Sequence, residues 1–209
     1  DAMIDTARAL GVGRRTGIDL PAEAGGYLGT PDSVRASGGT WYGGSTVILG
    51  IGQGYLQVTP LQNARWTAAV ATGALVTPRL GLAVGTGEGA YTALPAQVAT
   101  PLPFAGALGP IRDGMRAAVT GGTAVRLADL SAAVGGKSGT AQDGGLTDGS
   151  YDNWMTAAAP MDDPEIVVTA LVQGPGQGAN SAKDVVDTGL RHYLDHREEV
   201  LATGSVQTP

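Results

Sequence analysis

The chain has no cysteine, which excludes disulfides and thiolate metal sites but leaves the redox compartment open. Aromatic residues make up 5% of the 209 residues, with a single Phe, so a core here has to be built from Ala, Val, Leu and Ile. No apolar run approaches the ~20 residues that span a bilayer, and the opening D-A-M-I-D-T-A-R lacks the apolar centre of a signal peptide. Targeting information is therefore expected upstream. Basic runs are missing and the net charge is −6, which argues against a nucleic-acid partner, since phosphate binding needs a basic surface. Only two lysines occur, Lys137 and Lys183.

Glycine is abundant, with 34 residues, and hydrophobic residues form 43% of the chain, enough for one domain with a small-residue aliphatic core. Residues 2 to 10 pattern as a helix closed by Gly11, and 14 to 54 as turns and short extended pieces. The clearest local signal is a helix starting at Thr59. Thr59 and Gln62 form a T-x-x-Q capping box, Pro60 takes the first helical position, and Gly73 supplies the stop. Leu61, Ala64, Ala68 and Ala71 are its expected packing stripe. Residues 76 to 104 alternate weakly and contain four prolines, which suits irregular strands and loops.

Pro110 opens a second helix that Gly121-Gly122 ends, with Ile111, Met115 and Val119 on one face, and a short third helix is expected over 123 to 130. Strands are predicted at 134 to 142, 153 to 159 and 165 to 173, adjacent and antiparallel, with Met161-Asp162-Asp163-Pro164 as a turn. A helix from Asn180 to about 196 should lie across them, followed by a polar tail over 198 to 209. The fold class is α/β in the α+β sense, an antiparallel sheet flanked by helices.

The chemistry concentrates in Lys137-Ser138-Gly139-Thr140, inside G-G-K-S-G-T-A-Q at 135 to 142. For a peptide ending in a carboxylate, Ser138, Thr140 and the Lys137 ammonium offer charge-assisted hydrogen bonds, and Gly139 leaves room for the ligand. An extended backbone here can pair with the substrate as an added strand, and the Thr140 N–H can face a developing oxyanion. A phosphate-binding loop ending in G-G-K-S is a competing reading. That motif needs a glycine five residues before Gly136, where Ser131 stands, and the following A-Q-D-G-G-L-T-D-G-S is too glycine-rich for the helix that would hold phosphate.

T-G-I-D-L-P-A-E at 16 to 23, W-Y-G-G-S-T at 41 to 46, G-I-G-Q-G-Y at 50 to 55, V-T-P-L-Q at 58 to 62, K-S-G-T-A-Q and N-W-M-T-A-A-A-P at 153 to 160 follow one another in this order. The ordered set resembles the C-terminal part of the class B penicillin-binding proteins, most closely the elongation-type penicillin-binding protein 2, a peptidoglycan D,D-transpeptidase. A β-lactamase shares the K-[ST]-G strand without the first and third of these elements. The resemblance implies a β-lactamase/D,D-peptidase-like fold that is incomplete here, with three C-terminal sheet strands and part of the helical subdomain over residues 1 to 197.

It also implies a serine-type acyl-enzyme that cross-links peptidoglycan stem peptides and binds β-lactams. Lys137 and Thr140 are then the catalytic candidates. Lys137 sets the electrostatics near the serine of the family's second motif, and the Thr140 N–H forms half of the oxyanion hole. Ser138, Gly139, Thr140, Ala141 and Gln142 are the substrate-binding candidates. Gln53, between two glycines, is read as a buried brace beneath the site, and Trp154 as a packing residue on the neighbouring strand. The resemblance implies no metal and no organic cofactor. It places the parent protein on the outer face of the cytoplasmic membrane, tethered by an N-terminal helix and associated with the cell-elongation machinery.

One departure from the family pattern is decisive for activity. The residues three before the two lysines are Val134 and Asn180, so the sequence holds no S-x-x-K and no nucleophile. Tyr151-Asp152-Asn153 spells a variant of the second motif but follows K-S-G-T when it should precede it. The chain is therefore expected to be a piece of a transpeptidase domain, stable with its N-terminal half bound and inactive alone. A non-catalytic interaction domain with the same fold is the alternative, and a nucleotide-binding domain the more remote one. His192 and His196 lie four apart without a third ligand, so they read as surface residues. Asp162 and Asp163 are turn residues, and Glu198-Glu199 a solvated helix end or tail.

Overall fold

Three strands near the C-terminal end carry the one sheet of more than two strands among the described residues. The computed structural model describes residues 2–85, 91–95, 97–142, 151–174 and 181–203. In chain order its elements are α1 (Ala2–Ala9), β1 (Tyr27–Leu28), α2 (Pro31–Ala36), α3 (Gly43–Gly50), β2 (Leu56–Gln57), α4 (Pro60–Thr72), β3 (Ala74–Leu75), β4 (Ala83–Gly85), β5 (Tyr91–Ala93) and β6 (Thr100–Pro101). Then follow α5 (Gly109–Gly121), β7 (Gly135–Gln142), β8 (Tyr151–Ala159), β9 (Ile166–Val172), α6 (Ser181–Asp195) and α7 (Arg197–Thr203).

The sheet runs β7-β8-β9, antiparallel throughout, with Gly139 opposite Trp154 and Thr140 opposite Asn153. This is the expected order. Residues directly opposite in a ladder share a face and alternate along each strand. Ser138, Thr140, Met155 and Ala157 therefore lie on one face, and Lys137, Gly139, Trp154 and Thr156 on the other. The first face packs on α6, where Met155, Ala157, Val186 and Leu190 are buried with Val119 of α5 and Leu127.

Helix α4 covers the second face. Its contact is polar: the buried hydroxyls of Thr67 and Thr156 lie 2.9 Å apart, and Thr156 meets Thr169 of β9 at 2.6 Å. The outer edge of β9 has no strand partner among the described residues, as expected.

Helix α4 begins and ends as its sequence dictates. The Thr59 hydroxyl accepts from the Gln62 N–H at 3.2 Å, the Gln62 side chain accepts from the Thr59 N–H at 2.8 Å, and Gly73 closes the helix at φ 88°. The buried face differs from the expected stripe. Gln62, Thr67, Ala69 and Ala71 are buried while Leu61, Ala64 and Ala68 are only partly covered. In a helix so rich in alanine, apolar spacing barely distinguishes one face from another, and specific polar partners decide the rotation.

Gln62 makes this plain. It is fully buried, donating from Nε2 to the carbonyls of Arg14 at 2.7 Å and Gly25 at 2.8 Å. Against these bonds Gly26 sits at φ +63°, where a Cβ would meet the Gln57 carbonyl oxygen at 2.4 Å.

Four other regions depart from expectation. The stretch 14 to 54 holds two helices. Helix α2 has a readable start, with Thr30 as cap and Pro31 behind it, whereas the glycines and β-branched residues of α3 disfavour helix intrinsically. Ile111 is 51% exposed and outside the α5 core stripe of Met115 and Val119. The helix expected over 123 to 130 is one 3-10 turn, Val125–Leu127. Where a polar tail was expected, α7 runs to Thr203: the acidic Glu198 and Glu199 occupy its first turn and suit the helix dipole. Residues 204–209 and Asn180, the expected cap of α6, lie outside the described residues.

The T-G-I-D-L-P-A-E stretch is a clasp. Glu23 accepts from the Thr16 hydroxyl at 2.6 Å and from the Thr16 and Gly17 N–H groups, and Asp19 accepts from the N–H groups of Leu80 at 2.6 Å and Gly81 at 2.8 Å. These bonds hold both carboxyls below their ordinary pKa values, Glu23 chiefly through the Thr16 hydroxyl and Asp19 chiefly through the Leu80 N–H. Because the folded pKa values are depressed, the stabilisation is complete above the ordinary carboxylate range of about 4. It is lost as pH falls through the lower folded values. The hydrogen-exchange protection factors of Leu80 and Gly81 should therefore fall below about pH 4, and Asp19→Asn should flatten that dependence.

Candidate active site

Strand β7 is an edge, paired only with β8 among the described residues. Its free side can be read from two side-chain bonds. The Arg116 guanidinium donates to the Val134 carbonyl, and the Lys137 ammonium donates to the Ser138 carbonyl. Both carbonyls therefore face away from β8. The two-residue repeat of a strand turns the N–H and C=O of Thr140 to the same open edge. Arginine and α5 cover the start of this edge, while Lys137 and Thr140 are exposed and Ser138 and Gly139 half-buried.

Cavities flank the edge on both faces. On the α4 side a cavity of about 550 Å³ is walled by Lys137, Gly139, Gln53, Asn63, Trp66 and Trp154. On the α6 side a smaller one of about 200 Å³ is walled by Ser138, Thr140, Thr123, Asn153 and Lys183. Ser138 and Thr140 also border the α4-side cavity, so a ligand laid along the edge meets Lys137 and both hydroxyls there and the hydroxyls beside Lys183 on the α6 side. The Ser138 hydroxyl donates to Thr123 at 2.8 Å, which fixes its direction.

The structure brings Lys137, Ser138, Gly139, Thr140 and Ala141 together as adjacent strand residues lining these cavities, with Gln142 exposed at the strand end. Gly139 faces Trp154 closely: a Cβ there would lie 3.3 Å from the Trp154 Cβ. Trp154 therefore packs beneath the strand and also forms cavity wall.

Gln53 does not match its expected role as a buried brace. It is half-buried and lines the cavity, and the fully buried amide is Gln62. Two glycines fix the backbone around Gln53, Gly52 at φ +81° and Gly54 at φ +72°, which is a turn requirement and not a sign of burial.

Asn63, Trp66 and Thr123 were not singled out from sequence. Asn63 and Trp66 interrupt an alanine-rich helix at i, i+3 spacing, which is the one signal that could have marked them. Tyr151-Asp152-Asn153 lies within β8, with Asn153 opposite Thr140. His192 and His196 stack at 4.5 Å, and no group of metal-ligating side chains exists among the described residues. G-G-K-S is extended strand and opens no helix, so it cannot cradle phosphate as a P-loop does.

The family described as the penicillin binding protein transpeptidase domain matches residues 1–189. The chain belongs to this family. The peptidoglycan D,D-transpeptidase MrdA of Haemophilus influenzae is 32% identical over 220 residues, covering 94% of this chain and 33% of that protein. Among solved structures, penicillin-binding protein 3 of Mycobacterium tuberculosis complexed with ampicillin is 28% identical with a TM-score of 0.77, over 94% of this chain and 46% of that one. Penicillin-binding protein 2 of Helicobacter pylori, in complex with MreC, is 27% identical with a TM-score of 0.76, over 93% and 36%. The chain thus spans about a third of the length of the curated relative, and the expected antiparallel sheet with flanking helices is the transpeptidase-domain fold.

Proposed function

We propose that residues 1–197 are the substrate-gripping portion of a serine-type D,D-transpeptidase that cross-links peptidoglycan stem peptides. The observation that carries this is the open edge of β7, with Lys137 on one face and Ser138 and Thr140 on the other. The stem peptide adds to the edge as a strand. Its terminal carboxylate accepts from the Thr140 hydroxyl and from the Ser138 hydroxyl, which gives up its bond to Thr123 to do so, and Gly139, Ala141 and Gln142 give it passage. The Thr140 N–H, turned to the open edge, donates to the oxyanion. Lys137 supplies positive charge on the α4 side, where the second-motif serine belongs. β-Lactams occupy the same edge, and no cofactor takes part.

The nucleophile comes from the N-terminal half of the domain, outside this sequence. Its seat is the groove of about 510 Å³ between α4 and α5, walled by Trp66, Val70, Ile111, Met115 and Gly136. This accounts for the exposure of Ile111. The complete protein acts on the outer face of the cytoplasmic membrane, held by an N-terminal helix and working with the elongation machinery. No described helix of this chain is long and apolar enough to cross a membrane. The absence of S-x-x-K supports a second reading, a non-catalytic interaction domain.

In the complete protein, Ser138→Ala with Thr140→Val should slow acylation by benzylpenicillin about 100-fold, from two lost charge-assisted hydrogen bonds. Stopped-flow acylation measures it. A double variant as fast as wild type removes the hydroxyls from the mechanism, and a wild type that never acylates favours the interaction domain.

A further inference from the structure

The two lysines of this chain both wall cavities beside the β7 edge, but from different faces. Lys137 bends its ammonium to the Ser138 carbonyl. Lys183, third residue of α6, is half-buried and lines the α6-side cavity together with the Ser138 and Thr140 hydroxyls and Asn153. Its acidic neighbours on α6 are already engaged. Asp184 pairs with Arg126 at 2.8 Å, and Asp187 pairs with Arg126 at 3.2 Å and with Arg191 at 3.1 Å. Lys183 itself forms no ion pair or hydrogen bond among the described residues.

A half-buried ammonium with no counter-ion among the described residues contributes little to stability there, because no described partner offsets its partial desolvation. Beside hydroxyls that can donate, it makes the cavity a place where a carboxylate is bound by charge as well as by hydrogen bonds. Ser138 and Thr140 share the wall of this cavity with Lys183 and also border the α4-side cavity, so an anion held by those hydroxyls in the α6-side cavity lies beside Lys183.

We propose that Lys183 is a binding residue for the terminal carboxylate of the substrate, and that it sets the preference of this site for peptides and β-lactams with a free carboxylate. The proposal rests on the transpeptidase reading above. Lys137 serves the reacting centre from the α4 face, and Lys183 the carboxylate from the α6 face.

The test compares acylation of the complete protein by benzylpenicillin and by its uncharged methyl ester. Lys183→Ala should slow acylation by benzylpenicillin about tenfold, the scale of one charge-assisted contact, and leave the ester rate unchanged. Lys183→Arg should retain most of the benzylpenicillin rate, and Lys183→Glu should reduce it below that of the alanine variant. Equal losses with both ligands would make Lys183 merely structural and overturn the proposal, as would no loss with either. A wild-type protein acylated by neither ligand would overturn the transpeptidase reading itself, a different result from acylation that ignores residue 183.

Discussion

Incubated with a fluorescent penicillin, the 209-residue chain should carry no covalent label, while a polypeptide that adds the S-x-x-K segment should be labelled. Acylation needs a serine oxygen activated by a nearby base, and no serine in this sequence has a lysine three residues on. On the proposed reading the grip on the ligand should survive, since the β7 edge and its hydroxyls are in place. Binding energy without a nucleophile leaves a reversible complex. Denaturing electrophoresis reads the outcome, and a labelled band at 20.9 kDa would mean that a serine within this chain is activated by another route.

Gln62→Leu should destabilise the fold by about 3 kcal/mol, from three partly buried backbone groups at roughly 1 kcal/mol each, the low end for an unsatisfied group. The substitution keeps the side chain's approximate size but removes two donations and one acceptance at once. The carbonyls of Arg14 and Gly25 lose their partner, and the Thr59 N–H loses its cap. Leucine cannot be rehoused by a small shift, because Gly26 already lies against the Gln62 amide, with a Cβ at that position only 2.8 Å from its Oε1. Urea denaturation of the chain with its N-terminal half measures the loss. A variant within 1 kcal/mol of wild type, the net value of a single ordinary hydrogen bond, would show that water satisfies these groups.

Gln62 and Gln53 show where sequence reasoning succeeds and where it ends. The capping box made Gln62 legible as a helix start, because Thr59 and Pro60 are its chain neighbours and the chemistry is local. That the same amide also ties loops at Arg14 and Gly25 to the helix involves partners 48 and 37 residues away, which no local pattern reveals. Gln53 suffered the opposite error. Its flanking glycines suggested burial, but they serve the turn, and the side chain stays at the cavity wall.

Lys137-Ser138-Gly139-Thr140 was readable as extended strand only with the surrounding G-G-K-S-G-T-A-Q and the ordered motifs before it, since the tetrapeptide by itself also suits a turn. Asn63, Trp66 and Thr123 were not, since each reaches the site only when its own element packs beside β7.

The sequence by itself determined the transpeptidase family, the strand that carries the site, the α4 boundaries and the lack of a nucleophile. Each depends on residue identity and on contacts close along the chain. Tertiary structure alone decided which face of α4 is buried, which edge of β7 stays open, and how the two lysines divide between the faces of the sheet. The physical reason is that pleating fixes only alternation. Which side of a strand meets a helix, and which meets solvent, is settled by packing between segments far apart in the chain.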